Sequence, residues 1–174
     1  AVVLVLALPT AALAAKPDQG LKGLKGQAGD SNEAFVELWE KDPSTWEIVE
    51  DGAWGKLKYK LEGPTFDFVF NGHGLERGSN YSLIYYADPW PGNNPGALIA
   101  SGIANDEGDI HLAGSVDLGI DLPNPDDGNY PDGAKIWLVL SDDYDETTCA
   151  MMAWNPTEYL FEYDLIVYDD TDVS

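Results

Sequence analysis

What most limits the fold of this chain is that its apolar residues recur at period two, in short runs, and nowhere sustain the 3.6-residue period of a helix. The clearest run is 55–61, GKLKYKL: Leu57, Tyr59 and Leu61 share one face, and Lys56, Lys58 and Lys60 share the other. One side of such a strand is buried and the other is wet, and the lysine side reads as a solvated face or as an edge guarded against pairing. Phe66, Phe68 and Phe70 repeat the pattern, as do 81–86 and 110–116, while 135–140 (KIWLVL) is apolar enough for a central strand. Residues 159–168 alternate Phe161, Tyr163, Leu165 and Val167. Segments 34–41 and 46–50 are further strand candidates around the turn Asp42-Pro43-Ser44, and 97–104 is another. The 18 glycines and 11 prolines punctuate these runs with turns. Eight or nine strands in about 140 residues predict an all-β fold, an antiparallel β-sandwich with immunoglobulin- or fibronectin-like Greek-key links. A closed β-barrel is the alternative.

At 174 residues the chain has room for one domain with a full core. Residues 1–15, AVVLVLALPTAALAA, have the apolar body and the small-residue Ala12-Leu13-Ala14 site of a secretory signal peptide, with its charged start missing. Pro9 interrupts the run, which is too short to span a bilayer comfortably. A segment kept uncleaved would be an anchor; once it is cleaved, no membrane span is expected. Residues 16–32, with Leu-Lys-Gly twice, read as a flexible linker, 33–170 as the domain and 171–174 as a frayed acidic tail. The expected location is therefore the medium or the cell surface. The one cysteine, Cys149, excludes an intramolecular disulfide, and the apolar run around it predicts buried packing.

Charge narrows the partners. Nine basic residues stand against 31 acidic ones, a net charge of −22. The imbalance is concentrated: 61–174 holds Arg77 and Lys135 against 22 acids. With no basic patch to neutralise phosphates, nucleic acid and anionic membrane surfaces are excluded.

The stretch 71–92 joins a glycine-rich arch (Gly72, Gly74, Gly78) to the strand from Tyr81 and then to a Pro- and Trp-bearing loop. Leu75, Gly78 and Tyr81 are spaced as in the arch before the sixth strand of fibronectin type III domains, which this segment resembles. The resemblance implies that the Tyr81 hydroxyl bonds back to the arch backbone as a corner lock. Arg77 stands where that family usually has proline. At least three strands follow Tyr86, so the likeness is confined to the arch. Over most of the chain, GAWGKL (52–57), YSLIYYADPWPGNNPGALI (81–99), GAKIWLVL (133–140) and WNPTEYLFE (154–162) resemble a group of exported single-domain proteins known mainly from methanogenic archaea. That likeness implies a secreted domain and brings no activity or site residues.

Two loops gather hard oxygen ligands of the kind calcium takes: Asp126, Asp127, Asn129 and Asp132 in one, Asp142, Asp143 and Asp145 in the other. Neither has EF-hand spacing, and calcium is the one cofactor expected, if any. Of the six tryptophans, Trp54 and Trp137 read as core. Trp90, in the loop with Asp88, Asn93 and Asn94, is the candidate platform for a sugar ring or peptide. There is no G-x-S-x-G, H-E-x-x-H, P-loop or C-x-x-C motif. His73 lies in the glycine arch and His111 on the wet face of a strand, so no catalytic residue is singled out. The expectation is an exported, non-catalytic recognition or envelope-associated module for an extracellular ligand. The alternatives are an extracellular polysaccharide or ester hydrolase and a calcium-stabilised structural domain.

Overall fold

Eight strands hydrogen-bond into one antiparallel sheet in a computed structural model that describes residues 32–173. In chain order the strands are β1 (Ala34–Trp39), β2 (Trp54–Tyr59), β3 (Glu62–Gly63), β4 (Phe66–His73), β5 (Asn80–Tyr86), β6 (Ala97–Ile103), β7 (Ile110–Val116), β8 (Lys135–Leu140), β9 (Tyr144–Asp145), β10 (Ala150–Met151), β11 (Leu160–Glu162) and β12 (Asp169–Asp170). The large sheet runs β6-β5-β8-β11-β1-β2-β4-β7; β9 pairs with β10, and β12 lies parallel to β3. The expected signal peptide and all of the expected linker except Asn32 lie outside the described residues. Among the described residues, no helix is long and apolar enough to cross a membrane.

Alternation along each strand builds the core. Leu57 sits between Val36 of β1 and Phe70 of β4, Phe70 pairs with Leu112 of β7, and Leu83 of β5 pairs with Leu138 of β8. All of these are buried in a single apolar cluster. The all-β antiparallel class is what the chain adopts, and curvature rolls the sheet nearly into a barrel. Its two edges, β6 and β7, leave a common turn in which the Asn105 N–H donates to the Asp109 carbonyl at 2.8 Å, and they then run on without pairing. Gly102 permits this close approach, because a Cβ there would lie 2.7 Å from Leu112 Cδ2.

Tyr81 closes the arch as expected: the Glu76 N–H donates to its hydroxyl at 3.1 Å, with Leu75 buried beneath and Gly78 at φ +75°. Other expectations change. The lysine-faced β2 is not an edge, since β1 and β4 flank it. Residues 46–50 form no strand of the sheet; they fold back on 40–42 through the Lys41–Ile48 bridge and lay the Trp46 ring 4.9 Å from Phe161 of β11. The run 159–168 pairs within the large sheet over β11 and through one further bond, from the Tyr163 N–H to the Glu37 carbonyl of β1 at 2.8 Å; beyond β11, Tyr163, Leu165 and Val167 are exposed while Ile166 and Tyr168 face the core. Cys149 occupies a turn at φ +54°, only half-buried. Neither end of the domain is loose where described. Asn32 bonds Leu61 and Glu62, and the Thr171 N–H donates to the Gly63 carbonyl at 3.0 Å.

The segment 141–159 forms a second layer outside β5, β8 and β11, enclosing Ile84, Tyr86, Trp137, Val139, Tyr159 and Phe161. Strand β8 is therefore buried on both faces, Ile136 and Leu138 inward and Trp137 and Val139 outward, which explains its unbroken apolar sequence.

Candidate functional site

Over this second layer lies a patch of indoles. Trp46, Trp154 and Trp90 are 47%, 42% and 49% exposed, although large aromatics in a chain of this kind are otherwise mostly covered. Trp154 is the centre, with its ring centroid 6.3 Å from Trp46, 5.2 Å from Trp90 and 6.1 Å from the buried Trp137. Phe161 and Tyr159 pack below Trp154 at 5.9 and 5.8 Å, and Tyr86 stacks on Trp137 at 3.7 Å with the rings 8° from parallel. Trp46 lies 23° from parallel to Trp154 and Trp90 stands edge-on to it at 79°, so the result is a ridged aromatic face over an aromatic floor.

Three loops bring the indoles together, and each is fixed by its own polar anchor. Trp46 sits at φ +63°, a left-handed conformation that is costly for a bulky residue, by an amount on the order of 1–2 kcal/mol. The turn around it holds that conformation: the Trp46 N–H donates to the Asp42 carbonyl, and the Ser44 N–H and hydroxyl donate to the Asp42 carboxylate. Trp90 lies in the loop that follows β5. There the buried Asp127 carboxylate accepts from the Tyr85 hydroxyl at 2.6 Å, the Asp88 N–H at 3.0 Å and the Asn129 N–H at 2.9 Å. Trp154 precedes Asn155, whose Nδ2 donates to the buried Asp143 carboxylate at 2.8 Å. The Tyr159 hydroxyl donates to the same oxygen at 2.6 Å. Burial and these carboxylates push the Tyr85 and Tyr159 phenols far up, so both remain donors at any physiological pH. The Met151 N–H donates to the Pro91 carbonyl at 2.8 Å and ties two of the loops to each other.

Polar groups lie under and beside the indoles. Lys41 Nζ stands 5.9 Å from the Trp46 ring and donates to the Glu162 carbonyl at 2.9 Å. Glu162 Oε2 and Trp137 Nε1 are enclosed with no other partner, the indole N–H facing the carboxylate. Burial pushes the Glu162 carboxyl up to about 7, against the opposing pull of Lys41 and Lys135. Desolvation in turn lowers Lys41. Lys135 pairs with Asp88 at 2.5 Å and stands 5.9 Å from the Tyr86 ring.

The site residues expected from sequence fall into groups. Trp90 is exposed as expected. Asp88 is turned to Lys135, and Asn93 and Asn94 are exposed on the same loop. Asp127 and Asp143, read as calcium ligands, have their oxygens turned to protein donors and act as anchors of the Trp90 and Trp154 loops. Asp126, Asp132 and Asp142 are exposed, and Asn129 is half-buried. Asp145 accepts from the Thr147 N–H and the Thr148 hydroxyl, which hold its carboxyl below the usual range. Neither loop brings three carboxylates together; among the described residues, that happens only at Asp117, Asp170 and Asp172. His73 bonds Asp109 at 2.8 Å, and His111, exposed, bonds Asn71 at 2.7 Å.

Trp46 and Trp154 escaped the sequence reading, since neither sits in a recognisable motif and only the fold makes them neighbours. One further depression, lined by Lys58, Lys60, Asp67 and Ser115, is occupied by its own ion pairs: Lys58 with Glu33 at 2.9 Å and Lys60 with Asp67 at 2.5 Å. No family model, no curated protein and no solved structure matches the chain.

Proposed function

We propose that this is an exported, non-catalytic recognition domain that binds a neutral glycan of the cell surface or medium on the Trp46–Trp154–Trp90 face. The observation that carries the reading is a cluster of three half-exposed indoles on three separately anchored loops, with Trp46 and Trp90 lying 6.3 and 5.2 Å from Trp154. Half-exposed, pre-ordered aromatic rings offer stacking to the apolar faces of sugar rings with little ordering cost. The net charge of −22 disfavours an acidic polymer, and the lysines beside the indoles are engaged with Glu162 and Asp88. Export rests on the signal-like residues 1–15 of the sequence.

Isothermal titration and tryptophan fluorescence against neutral polysaccharides and cell-wall preparations test this. Trp154→Ala or Trp90→Ala is expected to weaken binding roughly tenfold, about 1.4 kcal/mol. No heat with any glycan, or affinity indifferent to both substitutions, would falsify the reading.

A hydrolytic reading leans on Glu162, whose raised pKa suits a general acid. Its Oε2, however, is enclosed beneath the indoles rather than presented to a substrate. Turnover of a glycoside or ester that Glu162→Gln abolishes would favour that alternative.

A further inference from the structure

Where β7 ends, the chain meets its own C-terminal segment. Asp117 follows β7 directly, and Asp170 closes β12 with Asp172 two residues beyond. One carboxylate oxygen from each lies within 4.8 Å of those of the other two. Asp170 is only 1% exposed. Its Oδ1 accepts weakly from the Asp172 N–H at 3.4 Å, and its Oδ2 is buried with no donor at all.

A carboxylate oxygen shut away from water without a donor is costly, of the kind normally offset by a hydrogen bond or a metal. The neighbours cannot supply one. Asp117 is already an acceptor, from the Gly119 N–H at 3.0 Å, and Asp121 accepts from the Asp170 N–H at 2.9 Å. Among the described residues, no lysine, arginine or histidine pairs with any of the three carboxylates. Three converging hard oxygen donors, one fully buried, with exposed neighbours that leave room for water, are the ligand set a calcium ion takes.

We infer that Asp117, Asp170 and Asp172 form a calcium site that clamps the C-terminal segment to the loop leaving β7. It is distinct from both acidic loops suggested by the sequence, and independent of the glycan-binding reading. The contact of Asp172 with the Asp170 carboxylate raises the Asp172 carboxyl, so a shared proton is the competing way to relieve the cluster.

The test is thermal denaturation and calorimetric titration of the full chain stripped with chelator, with calcium added against sodium chloride of equal ionic strength. Calcium at one hundred times its Kd is expected to raise the midpoint by roughly 5–10 °C above the sodium control. Asp172→Asn and Asp117→Asn, both at exposed positions, are expected to lose most of that rise while remaining folded in chelator. A wild-type midpoint indifferent to calcium, or a full rise retained in both variants, overturns the site. So does a chelator-treated Asp172→Asn protein that gains the stability expected of calcium while the wild type shows no heat of binding, since the carboxylates then share a proton.

Discussion

Tyr81 and Glu162 show how one polar atom is handled when strands close around it. The Tyr81 hydroxyl accepts a single backbone N–H at the arch, so Tyr81→Phe removes that bond and leaves the Glu76 N–H without its partner. The expected cost is about 1 kcal/mol or somewhat more, read as a lower denaturant midpoint at unchanged slope. An unaltered midpoint would show that the corner bond contributes nothing. Glu162 has the opposite character. Its carboxyl titrates near 7 in the folded protein against an ordinary 4.5, so the folded state holds an extra proton between those values. Stability therefore falls as pH rises through that window, by up to about 3 kcal/mol, and stays low above it. Glu162→Gln should flatten this fall and exceed the wild type in stability at pH 8 but not at pH 4.5. Parallel pH profiles of the two proteins would refute the assignment.

Among the elements, those that bury one face or two were legible in the sequence, and those that depend on what lies over them were not. Strand β2 declared itself through Leu57 and Tyr59 against three lysines, and β8 through its apolar run. The end of β11 did not, because Tyr163, Leu165 and Val167 continue the apolar alternation of Phe161 into solvent, past the edge of the layer that covers Phe161. The aromatic face was hidden for a similar reason: its tryptophans come from three loops remote in sequence, and the left-handed backbone of Trp46 has no signature in residue type. Asp127 and Asp143 were misleading, since an aspartate awaiting a cation and one satisfied by tyrosine and amide donors look alike in a sequence. The 141–159 layer hangs on the latter. Asp143→Ala deprives the Tyr159 hydroxyl and Asn155 amide of their acceptor, with an expected loss of about 2–3 kcal/mol. Tryptophan emission should shift to the red as the floor beneath Trp154 loosens. A variant with wild-type emission and midpoint would show that packing alone holds this layer.

At the scale of the whole molecule, the charge of −22 works against compactness, because most acids crowd 61–174 with two cations among them. Raising sodium chloride from 0.01 to 0.5 M shrinks the screening length from about 30 Å to a few ångströms. The melting midpoint should rise over that range, and a flat or falling midpoint would mean the repulsion is already compensated locally. The incomplete closure of the sheet has a different consequence. Each outermost strand has a row of amides with no ladder partner, the feature by which foreign strands recruit a sheet into aggregates. Here the two rows belong to β6 and β7, which issue from one turn and obstruct each other's approach to a third strand. The seam is thus both a guard against sticking to other chains and the line along which the molecule unzips first. Hydrogen exchange should register it as early labelling of β6 and β7, well ahead of β8 and β11.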